Sequence, residues 1–368
     1  MAFPFIQPEN KREFVVDADY LVQSVELGLR NSSISSTTNS FQFIYGDNYL
    51  DFVPRYPCAY ILDNNLYQQI FQILSTSAYP MLTFLKQPSA YIVKRDGDGD
   101  GVSINTSRAF RFPFFRGIPE RLTYQKLSDV SVQNESFELM KNYRIDFNRI
   151  VHCLIAGSSG SGKSYTLTYL ISVINQFAHV TVVDPKGDSI SRYCLKQNIP
   201  VLYQEKDFSS DEFVSKVNSL LKVELDTIYQ RQSELLENPS KKFQHRCLVI
   251  DELLALTSLT SKNVKDTFFA LLSNIALLGR ATSVHLILVS QRMDTNALPI
   301  AVREQCNFLI QLGLINRKTT TFLFPDLDSE TGIVIPNGKG TGIVQVIDGI
   351  TPPNVMPLLI PTFKGENI

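Results

Sequence analysis

The sequence has 368 residues, 44% of them apolar, which is enough for one large hydrophobic core and a smaller second one. Its formal net charge of −1 at pH 7 argues against a protein that coats nucleic acid through overall charge, although locally concentrated Lys and Arg could line a channel. No apolar run approaches the ~18–20 residues that cross a bilayer, and the N-terminus is too polar for a signal peptide. We therefore expect a cytoplasmic protein without membrane insertion of its own, which a partner could hold at a membrane.

The first 128 residues differ in composition from the rest of the chain. They are rich in aromatic residues, Asn and Ser, they include the low-complexity run NSSISSTTNS, and their strand and helix patterns are short. We interpret residues 1–128 as a smaller mixed α/β domain. Residues 129–368 then form a second, larger domain.

Two runs in the first domain have alternative interpretations. In RDGDGDGVSINTS, the residues Asp96, Asp98 and Asp100 match the opening of an EF-hand loop. Ser107 occupies the position where calcium needs a bidentate Glu, so a polar hairpin turn is favoured. The run RAFRFPFFR interleaves Arg with aromatic residues, a composition that can stack on single-stranded bases but that a strand packed between two domains explains better.

The cysteines and histidines do not predict a metal site. The five cysteines are scattered and lack a Cys-x-x-Cys pair, so we expect buried, reduced thiols. The four histidines lie at or beside the starts of predicted strands, and none has a partner at metal-ligand spacing. The sequence therefore predicts no zinc.

From about Val151 onward, strand patterns alternate with helical patterns. This alternation is typical of a mostly parallel sheet with helices on both faces. An amphipathic helix is predicted from Asp211 to about Leu236, with Ser209 and Ser210 as possible caps. The tail TGIVIPNGKGTGIVQVIDG is predicted to form a hairpin at the edge of the sheet. The predicted strands lie in the runs RIVHCLIAG, HVTVVDPKG, PVLYQ, RCLVIDE, VHLILVSQR and CNFLIQLG.

The run AGSSGSGKSYTL completes the pattern G-x-x-x-x-G-K-[ST] between an apolar strand and a helix predicted from about Lys163 to Phe177. Glycines let backbone N–H groups surround phosphates, the lysine reaches the outer phosphates, and the serine binds Mg²⁺. The helix directs its N-terminus at the anion. The sequence therefore predicts a site for ATP and Mg²⁺, formed by Gly157, Ser158, Ser159, Gly160, Ser161, Gly162, Lys163, Ser164 and Tyr165.

Two carboxylates follow the apolar run Leu248–Ile250. We expect Asp251 to hold Mg²⁺ through its water shell and Glu252 to polarise the attacking water. A simple turn at a strand end is an equally good interpretation of this motif alone, but the upstream P-loop favours the functional one. A strand pattern lies between the two motifs, so we predict that another strand separates their strands in the sheet. That separation and a catalytic Glu indicate a RecA-like P-loop domain. Gln291, at the tip of VHLILVSQ, is predicted beside the γ-phosphate as a catalytic sensor, with a solvated strand end as the alternative.

Four runs in this order, VHCLIAGSSGSGKS, VVDPKGD, CLVIDELLAL and LLGRATSVHLILVSQR, resemble the FtsK/SpoIIIE branch of the FtsK–HerA superfamily. The resemblance covers about Phe147 to Arg317, and within that branch it is most similar to the TcpA-like coupling ATPases of Gram-positive conjugative elements. It implies a hexameric ring of RecA-like motors that pulls DNA through its centre. The first domain would then serve oligomerisation or contact with a partner or DNA.

The sequence departs from the family pattern at the arginine that reaches a neighbour's ATP. The family's Arg-Ala-Ala-Gly box appears as Arg280-Ala281-Thr282-Ser283, and its Asp-Ser-Arg element appears as Asn316-Arg317-Lys318. Arg317 and then Arg280 are the candidates for this catalytic role. DNA contacts in such rings come from loops after two strands, which here carry Lys262, Lys265, Arg292 and Arg303, with solvated surface charges as the alternative interpretation.

Three functions are compatible with these observations. The first is an ATP-hydrolysing DNA translocase that acts as a ring in plasmid or mobile-element transfer or maintenance. The second is a nucleotide-gated adaptor that recruits a relaxase or DNA complex to a secretion channel without pumping, and the third is a protein-secretion or packaging ATPase. Because no membrane-spanning N-terminus and no basic winged-helix tail are recognised, chromosome segregation is the weaker expectation.

Overall fold

The computed structural model describes residues 16–31, 40–55, 61–95, 108–315, 317–325, 327, 333–349 and 353–364. The EF-hand-like run at 96–107, Cys58 and most of the low-complexity run lie outside this part of the chain. The chain divides into two compact units. The first comprises 1–120 with 326–334 and 349–357, and the second comprises 121–325, 335–348 and 358–368.

The first unit packs two helices and a five-stranded antiparallel sheet around one aromatic-rich core. Its longest strand, β5, pairs with β2, β3 and β4. Phe110, Phe112 and Phe114 alternate along β5 and are at most 1% exposed, so these three rings present no face on which a base could stack. The helices are α1 (Ala18–Asn31) and α2 (Asn64–Ser77), and the strands are β1 (Phe41–Tyr45), β2 (Tyr49–Pro54), β3 (Leu82–Phe84), β4 (Ile92–Lys94) and β5 (Arg108–Arg116).

The second unit contains an eight-stranded sheet in the order β11-β10-β12-β13-β9-β14-β15-β16, of which β16 contributes its last two residues to this unit. The six strands from β11 to β14 in this order are parallel, as predicted. The strands are β6 (Thr123–Tyr124), β7 (Ser136–Met140), β8 (Tyr143–Asp146), β9 (Cys153–Gly157), β10 (His179–Asp184), β11 (Val201–Tyr203), β12 (Arg246–Ile250), β13 (Val284–Ser290), β14 (Phe308–Leu312), β15 (Thr341–Val346), β16 (Val355–Leu359) and β17 (Thr362–Phe363).

One strand does separate the P-loop strand β9 from the carboxylate strand β12, but it is β13 and not the strand that lies between them in the sequence. That strand, β10, pairs with the other side of β12. The predicted separation is confirmed, but the separating strand follows the carboxylate strand in the sequence instead of preceding it. All five residues of β9 and all seven of β13 are buried, which accounts for their central places in a sheet covered on both faces.

The helices of the second unit largely follow the predicted boundaries. The long helix α5 begins after Ser209, whose side chain and that of Glu212 form a reciprocal capping box. The P-loop helix α3 ends three residues before the predicted Phe177, because the backbone N–H groups of Gln176 and Phe177 bond to carbonyls three residues back and tighten the chain into a turn. The helices are α3 (Lys163–Ile174), α4 (Ser189–Lys196), α5 (Ser210–Glu237), α6 (Leu253–Ser258), α7 (Lys262–Leu278), α8 (Ile300–Glu304) and α9 (Arg317–Leu323).

The tail does not form the predicted hairpin within itself. Its second half is β15, which pairs antiparallel with β14, and the described residues from 333 to 340 before it contain no strand. The reason lies at Gly340, whose backbone N–H donates to the carbonyl of Ser161 at 2.8 Å. This stretch therefore bonds to the P-loop instead of to a neighbouring tail strand.

The cysteines are buried and free wherever the structure describes them, which agrees with the expected reduced thiols; they are Cys153, Cys194, Cys247 and Cys306. In the described parts of the chain, no helix combines the length and the apolar character that a membrane crossing requires.

Candidate nucleotide-binding site

The P-loop connects β9, which lies between β13 and β14, to the first turn of α3. Close packing requires glycine at two positions. A Cβ at Gly157 would lie 2.9 Å from the backbone O of Leu312, and a Cβ at Gly162 would lie 2.6 Å from the backbone N of Gly340. Gly162 also has φ = +101°, in the left-handed region that favours glycine. The loop thus has the tight backbone that an anion-binding turn needs.

The side chains of the loop surround this backbone. Lys163 Nζ donates to the carbonyls of Gly157 at 2.6 Å and Ser158 at 3.0 Å, and burial lowers the pKa of Lys163 although Glu252 partly offsets it. Ser158, Ser159 and Gly160 are exposed, as is Ser164 in the first turn of α3. Ser161 Oγ is buried and has no hydrogen-bond partner among the described residues. These groups offer an ammonium, backbone N–H groups and hydroxyls, which suit a phosphate chain and Mg²⁺.

Tyr165 takes a structural position that the sequence did not indicate. Its hydroxyl accepts a hydrogen bond from the backbone N–H of Phe363 at 2.6 Å, and the two rings lie 5.5 Å apart. Arg121 donates to the carbonyls of Ile360 at 2.7 Å and Lys339 at 2.9 Å. Residues 360–363, which end with β17, are therefore bonded to Tyr165 in the first turn of α3 and to Arg121.

Asp251 follows β12 and is 8% exposed. Burial, and then the neighbouring Asp184, raise the pKa of Asp251 to about 6. Burial and a second carboxylate disfavour the ionised form of a carboxyl group, and a bound cation favours that form. The donors near Asp251 therefore fit Mg²⁺, which would be held by Asp251 and the hydroxyl of Ser164.

Glu252 is held at both carboxylate oxygens. Oε2 lies 2.8 Å from Lys186 Nζ, while Oε1 accepts from the backbone N–H of Gln291 at 3.1 Å and from Ser290 Oγ at 3.3 Å. Burial favours the neutral acid, but the bonds from Lys186 and Gln291 outweigh it and lower the pKa of Glu252. The structure thus brings Glu252 and Gln291 together at the adjacent ends of β12 and β13. The side chain of Gln291 is exposed beside them.

The sequence reasoning missed Lys186 and Asp184 as site residues. Asp184 is fully buried at the end of β10 and accepts bonds from the backbone N–H groups of Lys186 at 3.0 Å, Asp188 at 2.9 Å and Ser191 at 3.2 Å. These bonds fold the loop so that Lys186 reaches Glu252. A signal was present, since Asp-Pro-Lys-Gly-Asp follows a buried strand, and polar residues at the carboxyl ends of parallel strands meet at one edge of the sheet.

The two candidate arginines lie at opposite ends of the sheet. Arg280 is exposed in a short 3₁₀ turn before β13, whereas Gln291 follows the end of β13. The seven residues of β13 place these two ends about 20 Å apart. Arg317 is exposed at the start of α9, after the carboxyl end of β14, which is the edge that also carries the P-loop. In the described part of the chain, neither arginine is hydrogen-bonded or ion-paired to Glu252.

The residues proposed for DNA contact differ in their local partners. Arg303 donates to the carbonyls of Phe322 at 2.8 Å and Leu323 at 3.0 Å, so it fixes the end of α9. Arg292 is exposed and lies 3.2 Å from Asp294. Lys262 is exposed at the start of α7, and Lys265 lies over the ring of Phe269.

Three buried histidines lie at the other end of the sheet from the P-loop, at or just before the starts of β9, β12 and β13. His245 Nδ1 lies 2.8 Å from His285 Nε2, and His285 Nδ1 lies 2.9 Å from the carbonyl oxygen of Val151. His152 accepts from the backbone N–H of Leu286 at 3.0 Å. In the described residues, no group of three or more His, Cys, Asp or Glu side chains could hold a metal ion.

Comparisons with known proteins agree with the motifs. The family model of the helicase HerA central domain matches residues 138–198, which include the P-loop and α3. The FtsK domain-containing protein YdcQ of Bacillus subtilis is 26% identical over 235 residues, which cover 59% of this chain and 47% of that protein. The DNA translocase FtsK of Leptospira interrogans is 24% identical over 225 residues, which cover 56% of this chain and 23% of that protein. Residues 138–198 thus match the HerA central-domain model, and the chain is similar in sequence to FtsK-domain proteins.

Solved structures share the fold of this chain. The pCW3 conjugation coupling protein TcpA, in its monomer form with ATPgS, superimposes with a TM-score of 0.56 at 18% identity and covers 94% of this chain and 95% of that one. ATPases 2 and 3 of EssC from Geobacillus thermodenitrificans give a TM-score of 0.51 at 15% identity, over 69% of this chain and 49% of that one. The predicted α/β fold of RecA-like type is thus confirmed. The chain spans less than half the length of the two curated relatives named above.

Proposed function

We propose that this chain hydrolyses ATP with Mg²⁺ and uses the energy to move DNA. The observation that carries the proposal is the contact between Glu252 and the backbone N–H of Gln291 at 3.1 Å. It joins a carboxylate to the strand β13 that lies directly between the carboxylate strand and the P-loop strand. The candidate general base, the candidate sensor and the P-loop therefore lie at three adjacent strand ends, which supports a role in phosphoryl transfer.

The proposed roles follow from charge and position. Lys163 and the P-loop N–H groups bind the phosphates, and Ser164 with Asp251 holds Mg²⁺. When bound, Mg²⁺ neutralises charge that develops on the phosphate oxygens. Glu252 orients and polarises the attacking water, and Gln291 reports the terminal phosphate to the loop that begins at Arg292.

DNA and a second copy of the chain are the proposed partners. An exposed arginine that acts on a neighbour's ATP requires a head-to-tail assembly, and a closed ring, such as a hexamer, supplies that geometry at every interface. The matched relatives include a protein named as a DNA translocase and a solved conjugation coupling protein. Transfer or maintenance of a plasmid or mobile element, together with a relaxase or membrane channel proteins, is the proposed setting.

The test is ATP hydrolysis by the full chain with and without DNA. We expect DNA to raise the rate of the wild-type chain, and Lys163→Ala to abolish hydrolysis in both conditions while the melting temperature stays unchanged. A hydrolysis rate that does not respond to single- or double-stranded DNA would favour the nucleotide-gated adaptor. Hydrolysis by Lys163→Ala at the wild-type rate would refute the assignment of the P-loop.

A further inference from the structure

Both lysines of the site are bonded to acceptors of the protein itself. Lys163 Nζ donates to two carbonyls of the P-loop, at 2.6 and 3.0 Å. Lys186 Nζ donates to Glu252 Oε2 at 2.8 Å. The oxygens of a terminal phosphate are stronger acceptors for an ammonium than a carbonyl and more highly charged than a single carboxylate. A nucleotide that enters this site therefore competes for both lysines.

The side chains of Lys186 and Glu252 differ in how firmly the surrounding protein holds them. The Glu252 side chain is 5% exposed, and its other oxygen is bonded to Gln291 and Ser290, so the carboxylate stays in place without Lys186. The Lys186 side chain is 43% exposed, whereas its backbone N–H is fixed by the buried Asp184. Lys186 can therefore move its ammonium group while its loop stays folded.

We propose that Lys186 is a second phosphate-binding lysine that exchanges partners when ATP binds. Its ammonium group leaves Glu252 for the terminal phosphate oxygens, and this exchange frees Oε2 of Glu252 to face the attacking water. ADP lacks the γ-phosphate, so the Lys186–Glu252 pair persists in the ADP state. The inference rests on the proposed function, because it assumes that the P-loop binds ATP.

The experiment measures the affinity of the full chain for a non-hydrolysable ATP analogue and for ADP, each with Mg²⁺. Lys186→Ala should weaken the ATP analogue by about tenfold, because a charge-assisted hydrogen bond is lost. Its ADP affinity should stay within about twofold of the wild type, which also shows that the variant is folded. Lys186→Gln should behave in the same way, and Lys186→Arg should restore most of the preference for the ATP analogue. Lys196→Ala, which removes an exposed lysine at the end of α4, is the matched control and should change neither affinity.

A double-mutant cycle separates partner exchange from simple charge repulsion. Glu252→Gln should strengthen binding of the ATP analogue, because Lys186 then no longer has to leave a carboxylate. That gain should disappear when Lys186→Ala is also present. If the gain is the same in both backgrounds, Glu252 merely repels the phosphate, and partner exchange is refuted.

The outcomes also distinguish this inference from the proposed function. If the wild-type chain binds neither nucleotide, or if Lys163→Ala leaves both affinities unchanged, the proposed function and the inference both fail. If the wild type binds both nucleotides, Lys163→Ala weakens both, and Lys186→Ala changes neither, only the role of Lys186 is overturned.

Discussion

Gly162 of the P-loop and Gly340 before β15 approach so closely that a Cβ on Gly162 would lie 2.6 Å from the backbone N of Gly340. The Gly340 N–H is bonded to the carbonyl of Ser161, and Gly340 itself has φ = +68°. The geometry of the phosphate loop therefore depends on a residue almost two hundred positions later in the chain.

Two glycine variants test this dependence. Gly162→Ala combines a positive φ with a clash against backbone, whereas Gly160→Ala combines a positive φ, +78°, with open space within 4 Å. We expect Gly160→Ala to lower the free energy of unfolding by about 1 kcal/mol and Gly162→Ala by about 2–4 kcal/mol with loss of nucleotide binding. Urea unfolding and nucleotide titration measure the two effects. If both variants lose the same free energy of unfolding and the same nucleotide affinity, the contact with Gly340 has no consequence.

Glu252→Gln and Asp251→Asn should separate water activation from metal binding. The amide in Glu252→Gln cannot accept a proton from water, so this variant should bind ATP with Mg²⁺ and hydrolyse it about 10²–10⁴-fold more slowly. Asp251→Asn should instead raise the Mg²⁺ concentration needed for half-maximal hydrolysis. Steady-state rates over a Mg²⁺ titration measure both properties, and identical behaviour of the two variants would contradict the assigned roles.

Arg317→Ala and Arg280→Ala test whether the site is completed by a neighbouring copy. We expect Arg317→Ala to bind ATP normally and to lose hydrolysis by about 10³-fold or more. Mixing it with the Glu252→Gln protein should restore activity, because some interfaces then pair an intact Glu252 with an intact arginine. Arg280→Ala serves as the comparison, since Arg280 lies at the other end of β13.

The hydrolysis rate over a range of mixing ratios is the measurement. An arginine that acts in its own site cannot be rescued by a protein whose own carboxylate is replaced. Absence of rescue at every ratio, together with a monomeric mass in the presence of ATP and DNA, would favour the adaptor over the ring.

We expect the protein to lose stability in mild acid because of its buried histidines. Burial lowers the pKa of His152 to about 4 and that of His285 to about 3, from an ordinary value of 6.5. The unfolded chain therefore takes up these protons first as the pH falls below 6.5. The contribution of each neutral histidine to the free energy of unfolding is therefore fully present above pH 6.5. Between pH 7 and pH 5, each histidine lowers the free energy of unfolding by about 2 kcal/mol. Asp251, whose pKa is raised to about 6, offsets only part of this loss.

Urea unfolding at pH 7 and pH 5 measures this effect. His285→Gln should reduce the difference between the two pH values by about 2 kcal/mol. His179→Gln is the control, because His179 is exposed at the start of β10. An unchanged pH dependence in His285→Gln would refute the assignment to buried histidines.

The local features of this protein were determined by its sequence. The P-loop spacing from Gly157 to Ser164 fixes a tight turn between a strand and a helix, and the capping box of Ser209 and Glu212 fixes the start of α5. The capping box depends on contacts over a few residues, whereas the P-loop turn, although its position is set locally, is also packed against Gly340. The polar residue Gln291 at the tip of its strand was also predicted from the sequence, whereas the pairing of β12 with β13, which brings it beside Glu252, is seen in the structure.

Only the tertiary structure decided which distant segments complete the site. Buried, apolar strands such as β9, β10 and β13 carry no pattern that distinguishes one neighbour from another, because burial on both faces makes them alike in composition. The sequence therefore predicted a separating strand without identifying β13. The Lys186–Glu252 pair joins residues 66 positions apart, and the bond from Gly340 to Ser161 joins residues still more distant. Such contacts form because parallel strands bring their carboxyl ends to one edge of the sheet, where loops of unrelated sequence position meet.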